Sequence, residues 1–385
     1  VAITGIQAAS EALKSYFLPS LRYQLNEQAS PTLTQFERDS QSVVGKDIVM
    51  ALRYGRSGGV GMRLDTGDLP EANSRKTRQA KWETKNVFAR IMLSDKVIRA
   101  SRSNVGAFAN LLEQELEDAQ NDAKDMLSRQ LFGDGSGLLA TVQAVDATNK
   151  KITVDNVDYF AEGQFIDIYN GDALVLQKAE ILGVDPEARV LTLSDVTGVL
   201  ANHSVYMYGN KGLELTGFKA VFQAPVLYGI DRAQNPWLKA RRINVNGEIS
   251  EVVIQQAIDL ANKDAGSNTN LLVCSFGVRR AYQYLLSAQK RQVNTLELRG
   301  GWKALEYNGI GLVPEKYCPA GTMFCLDSND WKMYEMADWD WLDEGGGILH
   351  PVSGKAAFEA VLVKYCDLGC QKPRGQVELY GITEH

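Results

Sequence analysis

Between Val105 and Leu131, apolar residues recur at steps of three and four: Val105, Phe108, Leu111, Leu112, Leu116, Ala119, Ala123, Met126, Leu127 and Leu131. That period defines one face of an α-helix. Ser103 is placed to cap its start and Gly133 to end it as a glycine just past the last turn. A helix of this extent is about 40 Å long, which is unusual inside a compact domain. An ordinary core helix would account for the apolar stripe. It would not account for the other face, where Glu113, Glu115, Glu117, Asp118, Asp122 and Asp125 stand against Lys124 and Arg129.

The segment before this rod has the opposite bias. Its bases are Arg75, Lys76, Arg78, Lys81, Lys85, Arg90, Lys96, Arg99 and Arg102, against Glu83 and Asp95. DIVMALRY reads as a strand, followed by a glycine-rich bend and the polar run TGDLPEANSRKTRQ. KWETKNVFARIMLSDKVIRAS then returns as extended chain, with Val87, Ala89 and Ile91 alternating. An isolated hairpin is marginal in water, so this long two-stranded arm needs a surface to lie on. The basic arm and the acidic rod are complementary in charge. If they meet between subunits, assembly depends on salt.

Ahead of the arm, residues 7–25 look helical until Pro19 interrupts them. NEQASPTLTQFERDSQSVVGKD has little periodicity and reads as an extended segment whose few apolar residues need a surface too. From Gly137 to about Gly212 the texture becomes short strand-like runs separated by the turn signals DATNK, NGDA and DPEA. That spacing predicts a small all-β module, a closed barrel or sandwich, bracketed by glycines and set into a larger host. Alternating helix and strand patterns follow. Ser250 is a cap for EVVIQQAIDLANKDA and Ser275 for FGVRRAYQYLLSAQK. The chain closes on AAFEAVLVKYCDLGCQKPRGQVELYGI, which reads as two long strands around QKPRG.

Little here points to chemistry. The net charge of −6 over 385 residues argues against a dedicated nucleic-acid binder, and no apolar run is long enough to span a bilayer. The first residues, VAITGIQAASEALKSYF, show no signal-peptide pattern. Five cysteines, Cys274, Cys318, Cys325, Cys366 and Cys370, do not make a disulfide framework and read as reduced, small apolar residues. The histidines are His203, His350 and His385, without metal-ligand spacing. GRSGG matches the G-x-S-x-G pattern around Ser57, but VGMRLDTGDLPEAN after it has no helical period, which a nucleophile elbow requires. Asp338, Asp340 and Asp343 alternate with Trp339 and Trp341, as on the polar face of a strand or loop.

The stretches YGRSGGVGMR, IMLSDKVIRASRSNVGAF, RQLFGDGSG, LYGIDRAQNPWLKA and YCDLGCQKPRGQVELYGI, in that order, resemble the major capsid proteins of tailed bacteriophages. The resemblance implies an α+β chain with the Hong Kong 97-type fold. It implies an N-terminal arm over 1–46, an extended loop over 47–100, and a peripheral domain from 101–137, with its spine helix, and 346–385. The β module over 138–212 is an insertion, 213–239 leads back, and 240–345 forms an axial domain. It further implies self-assembly into pentamers and hexamers of an icosahedral shell around phage DNA, located in the virion after assembly in the host cytoplasm. Partners would be further copies of the chain, a portal, and scaffolding or decoration proteins. No catalytic residue, cofactor, metal or membrane is implied. The expected interface residues are Arg75, Lys76, Arg78, Lys81, Lys85 and Arg90 on the loop, Glu113, Glu117 and Asp118 on the helix, and Gly55, Gly58 and Gly59 at the bend. Two other readings stand beside this one: an encapsulin-like nanocompartment shell, and a serine hydrolase using Ser57.

Overall fold

A computed structural model describes residues 17–27, 30–55, 59–65, 67–71, 76–95, 105–288, 295–297, 303–343 and 347–385. Side chains of the spine helix are described from Glu115 onward. The helix itself runs Val105–Gln130; the expected cap Ser103 lies outside the described residues. Leu116, Ala123 and Leu127 bury its apolar stripe against Val87, Ile91, Trp339, Trp341 and Leu362 of one sheet. That sheet orders Glu37–Asp39, Trp331–Trp341, Ala357–Cys370 and His350–Pro351, with Lys85–Ser94 also paired to Ala357–Cys370.

The helix does not end on a left-handed glycine at Gly133 as the sequence suggested. Gly133 has no positive φ; the terminal carbonyls are met instead by the start of a second helix, Phe218–Gln223. Phe218 N donates to Leu131 O at 2.7 Å and Ala220 N to Gly133 O at 3.4 Å. Gly217 permits this approach, because a Cβ there would collide with the carbonyls of Leu131, Gln130 and Gly133. Arg129 adds a buried two-point ion pair to Glu214, with N–O distances of 2.9 and 2.5 Å.

Pro19 does not interrupt a helix; it sits in the first turn of Leu18–Glu27. There its missing N–H is one that no intrahelical carbonyl would have accepted. Leu18, Leu21 and Leu25 pack into the same core as the spine helix. Ser30 caps the short helix Pro31–Thr34, and Ser30 Oγ and Thr32 N bond to buried Glu315 at 2.6 and 3.0 Å. The described part of this leading segment therefore rests on its own chain.

The stretch expected to form one long arm divides. Asp47–Tyr54 and Lys76–Glu83 pair as a hairpin. After Thr84 the chain joins the peripheral sheet, where Lys85–Ser94 runs antiparallel to Ala357–Cys366. The alternation that suggested an arm is the ordinary half-buried pattern of a sheet strand, with Val87, Ile91 and Leu93 inward and Phe88 and Met92 outward.

The second large sheet has seven strands, in the order Arg241–Gly247, Val377–Ile382, Met323–Leu326, Leu271–Cys274, Ile310–Pro314, Lys303–Tyr307, Thr295–Glu297. Its helices are Glu251–Ala265 and Phe276–Ala288. Both expected caps form: Ser250 Oγ accepts from Val253 N at 3.3 Å and Ser275 Oγ from Val278 N at 3.2 Å. The closing strands do not pair with each other. Ala357–Cys370 stays in the peripheral sheet, while Val377–Ile382 enters the seven-stranded one beside Arg241–Gly247. The 3-10 turn Pro373–Gly375 makes the switch, and buried Gln376 accepts from Asp327 N and Trp331 Nε1, both at 3.0 Å. In exchange, Trp331–Trp341 leaves the axial stretch for the peripheral sheet.

Six antiparallel strands between Leu138 and Met207 close into a barrel. Val142, Ile152, Ile166, Ile168, Ile181, Leu191, Leu193 and Val205 fill it and are fully buried. The glycines bracketing this run serve its stem. Gly137 has φ +77, a Cβ there would lie 2.7 Å from Asn210 O, and Gly212 N donates to Ser136 O at 2.7 Å. Chain entry and chain exit thus run side by side.

Candidate assembly surface

The hairpin Asp47–Tyr54/Lys76–Glu83 is anchored at its root. Ile48, Met50, Leu52 and Ala80 are buried in the largest core cluster. Trp82 stacks on Tyr228 at 4.1 Å and Tyr54 on Trp237 at 4.4 Å. Trp82 Nε1 donates to Asp367 Oδ2 at 3.0 Å. Asp367 is fully buried and also accepts from Thr216 N at 2.7 Å, Thr216 Oγ1 at 2.8 Å and Leu368 N at 2.8 Å. Burial pushes its carboxyl up to about 6, against the pull of those hydrogen bonds. One carboxylate therefore joins the arm root, the exit from the barrel and the longest strand.

Beyond the root the chain changes character. Gly55, at the strand end, takes φ +75 with open space around it. Gly59 is exposed; Gly58 and Ser57 lie outside the described residues. Val60, Met62, Leu64 and Leu69 are then 89, 98, 83 and 86% exposed. Four large apolar side chains of this stretch are thus left in water within the single chain. The alternation of Val60, Met62 and Leu64 was present in the sequence, yet the run reads as polar when its charged and glycine neighbours are counted.

The expected charge residues are placed as follows. Lys81 pairs with Asp47 at 2.9 Å and Arg90 with Glu359. Lys85 Nζ donates to Gly212 O at 3.1 Å and Arg78 to Asn235 Oδ1 at 2.8 Å. Lys76 is exposed at the hairpin end, and Glu117 and Asp118 are exposed on the spine helix. Arg75 and the side chain of Glu113 lie outside the described residues. Among the described residues, no ion pair within the chain joins these bases to Glu117 or Asp118. Further along the helix, Asp122 is pushed up by burial and by Asp118 and Asp125. Asp125 is engaged by Lys316 Nζ and Tyr317 OH, each at 2.9 Å. A cleft of about 440 Å3 opens where the arm root, Met126 and Gln130 of the helix, and the barrel stem meet.

The histidines serve local structure. His203 Nδ1 accepts from Leu200 N at 3.1 Å, His350 Nε2 lies 3.2 Å from Leu342 O, and His385 Nε2 lies 2.9 Å from Glu248. Among the described residues no three His, Cys, Asp or Glu side chains are grouped to hold a metal ion. All five cysteines are free and buried, and burial pushes each thiol up. No described helix is long and apolar enough to cross a membrane.

No family model matches the sequence, and no curated protein matches it. Solved structures do match the fold. The asymmetric unit of the cyanophage A-1(L) capsid superposes with a TM-score of 0.60 at 11% identity, covering 93% of this chain and 94% of that one. The capsid of an empty GTA particle gives 0.51 at 11% identity, covering 92% and 91%. An encapsulin from Synechococcus elongatus reaches only 0.41 at 10% identity, covering 91% and 86%, too little to carry an argument. The chain has the Hong Kong 97-type fold of phage capsid subunits: spine helix, peripheral sheet and axial sheet, with a six-stranded barrel between helix and axial sheet in chain order.

Proposed function

We propose that this chain is the major capsid protein of a tailed bacteriophage, a structural and non-enzymatic subunit that self-assembles into the pentamers and hexamers of an icosahedral shell. The carrying observation is the loop tip: Val60, Met62, Leu64 and Leu69 project bare on an arm whose root is fixed. Burying such a side chain is worth roughly 1.5–3 kcal/mol, so a neighbouring subunit that covers the tip supplies a substantial driving force. Lys76 and Arg78 at the hairpin end bring positive charge to a neighbour's Glu113, Glu117 and Asp118, which orients the contact. The bend of Gly55, Gly58 and Gly59 lets the tip settle on that surface. The shell encloses DNA without reading its sequence, in keeping with a net charge of −6. Portal, scaffolding and decoration proteins complete the partner set, with the barrel as the outward-facing element.

Electron microscopy of purified protein tests this reading. The wild type forms uniform shells; Met62→Asp with Leu64→Asp stays folded but forms none. A wild type that remains monomeric in every condition overturns it. A nanocompartment shell is distinguished by particles that hold protein cargo and no DNA. The hydrolase reading requires an esterase activity that Ser57→Ala abolishes while assembly is unchanged.

A further inference from the structure

The net charge is unevenly spread. Between Leu138 and Met207 the barrel holds ten Asp and Glu against four Lys and Arg, so all of the net −6 lies there and the rest of the chain balances at 37 of each sign. Within that balanced remainder, bases gather at one edge. Strand Arg241–Gly247 ends the seven-stranded sheet. Just before it, the 3-10 turn Pro236–Leu238 packs beside the turn Pro373–Gly375. Lys239 and Arg241 come from the first segment, Lys372 and Arg374 from the second. Gly375 lets its turn sit close, because a Cβ there would collide with Ser267 Oγ. Asp264 draws the two arginines together, pairing with Arg241 Nε and, at 3.8 Å, with Arg374 Nε. Lys372 Nζ lies 3.3 Å from Asp330 Oδ1. On the other side of the edge strand, Arg242 makes a two-point pair with Glu378 and lies over the Tyr380 ring at 4.5 Å.

These pairs are one-sided. The carboxylate side chains are 4–14% exposed and the bases paired with them 36–52% exposed. The acids hold the bases from beneath, and water meets the cations. Both arginines engage Asp264 through Nε, and among the described residues no hydrogen bond within the chain engages their Nη atoms. Asp264 serves two arginines, and Lys239 has no carboxylate partner among the described residues, so the cations outnumber the acids that hold them. The large exposed apolar side chains of the described residues all lie elsewhere. A stable protein–protein contact is anchored by buried aromatic or apolar side chains; a polyanion asks for none. We propose that this edge is a contact for the phosphate backbone of duplex DNA, made through charge alone. The proposal rests on the reading of the chain as a shell around DNA and adds where on the subunit the DNA is met. A guanidinium fork matches two phosphate oxygens, and the ammonium groups act as point charges beside it. Such contacts carry no sequence information. The acidic barrel is repelled by the same polyanion.

The test uses the purified full chain and a short fluorescent DNA duplex of mixed sequence, read by anisotropy. Binding should be equal for unrelated sequences and fall about a hundredfold between about 50 and about 200 mM salt, as about four neutralised phosphates require. Lys239→Gln with Lys372→Gln should bind more weakly and cut that salt loss to about tenfold. Asp264→Asn removes the central negative charge and keeps its shape, so it should bind several-fold more tightly; a merely structural ion pair gives no such gain. A wild type that does not bind the duplex overturns the proposal. So does a double variant that matches wild type in affinity and salt loss, or an Asp264→Asn protein that binds no more tightly. Poly-glutamate that binds as tightly as the duplex at equal charge assigns the edge to an acidic protein and overturns it too. Electron microscopy of the same preparations keeps the two readings apart. Shells formed by a wild type that does not bind DNA sink this contact and leave the shell reading standing. Binding by a chain that never forms shells supports this contact and sinks the shell reading.

Discussion

Replacing Asp367 by Asn should remove one component of the protein's pH dependence and make the variant gain on wild type as pH rises towards neutrality. The ionised carboxylate accepts four hydrogen bonds, yet burial still raises its pKa from 3.8 to about 6. At about 1.4 kcal/mol per pH unit, the folded state carries a penalty of about 3 kcal/mol near pH 7 for keeping this group charged. The sign follows from which state binds the proton first. Because the folded pKa is the higher one, the folded state takes up the proton before the unfolded state does. The penalty is complete above about pH 7, shrinks as pH falls through about 6, and is gone below about 4. Asn mimics the protonated acid except at one bond: its Oδ1 keeps Thr216 N and Leu368 N and its amide donates to Thr216 Oγ1, but Trp82 Nε1 loses the acceptor that the hydroxyl oxygen of the protonated acid still offers, a cost of about 1–3 kcal/mol that is the same at both pH values. The charged groups nearby, chiefly Lys85, are shared by both proteins and cancel in the comparison. Denaturant unfolding of unassembled wild type and Asp367→Asn, at about pH 7 and about pH 4.5, measures the difference. Relative to wild type, the variant should gain about 2 kcal/mol between the lower and the higher pH. A variant that is less stable than wild type by the same amount at both values refutes the reasoning.

The remaining tests address packing and assembly. Arg129→Met or Glu214→Gln alone should cost about 3–5 kcal/mol, because each leaves a buried charge unpaired; replacing both with apolar residues should recover most of it, read from denaturant midpoints. Gly217→Ala should cost about 1–3 kcal/mol by pushing helix Phe218–Gln223 off the spine-helix terminus, visible as a lower unfolding midpoint. Reversing Lys76 and Arg78 to Glu should slow shell formation and flatten its salt dependence in light scattering; unchanged kinetics would remove charge from the contact.

The spine helix was legible in the sequence because its whole pattern is local: a 3.6-residue period is written in the order of Val105 to Leu131. The barrel strands were legible for the same reason, as short runs between turn signals. What was not legible depends on partners distant in sequence. Lys85–Ser94 reads as half of an arm until Ala357–Cys370 is seen beside it, more than two hundred and fifty residues later. Val377–Ile382 reads as the partner of the strand before it, until Arg241–Gly247 takes that place. Asp367 and Lys364 carry no signal at all in YCDLGC or VLVKYC, because burial is a property of the fold and not of the local stretch. Of the expected surface, Lys81 and Arg90 were spent on partners within the chain, which the count of charges alone does not reveal.

Under the proposed assembly, the contrast between arm root and arm tip gives each part of the arm a separate task. At the root, Trp82, Tyr228 and Asp367 tie the hairpin to elements from three parts of the sequence, so its direction is set before any neighbour arrives. At the tip the chain has glycine and exposed apolar residues, so the geometry of the last contact is left to the neighbour. Preorganisation of the root lowers the entropy lost on association, because only the tip must be ordered. The exposed acidic face of the spine helix and the net negative charge oppose random contact between subunits. In the proposed contact, bringing the basic hairpin end over the acidic helix relieves that repulsion while covering the tip. On that proposal, selective assembly follows from the sum of a non-specific apolar gain and a charge pattern that admits few orientations.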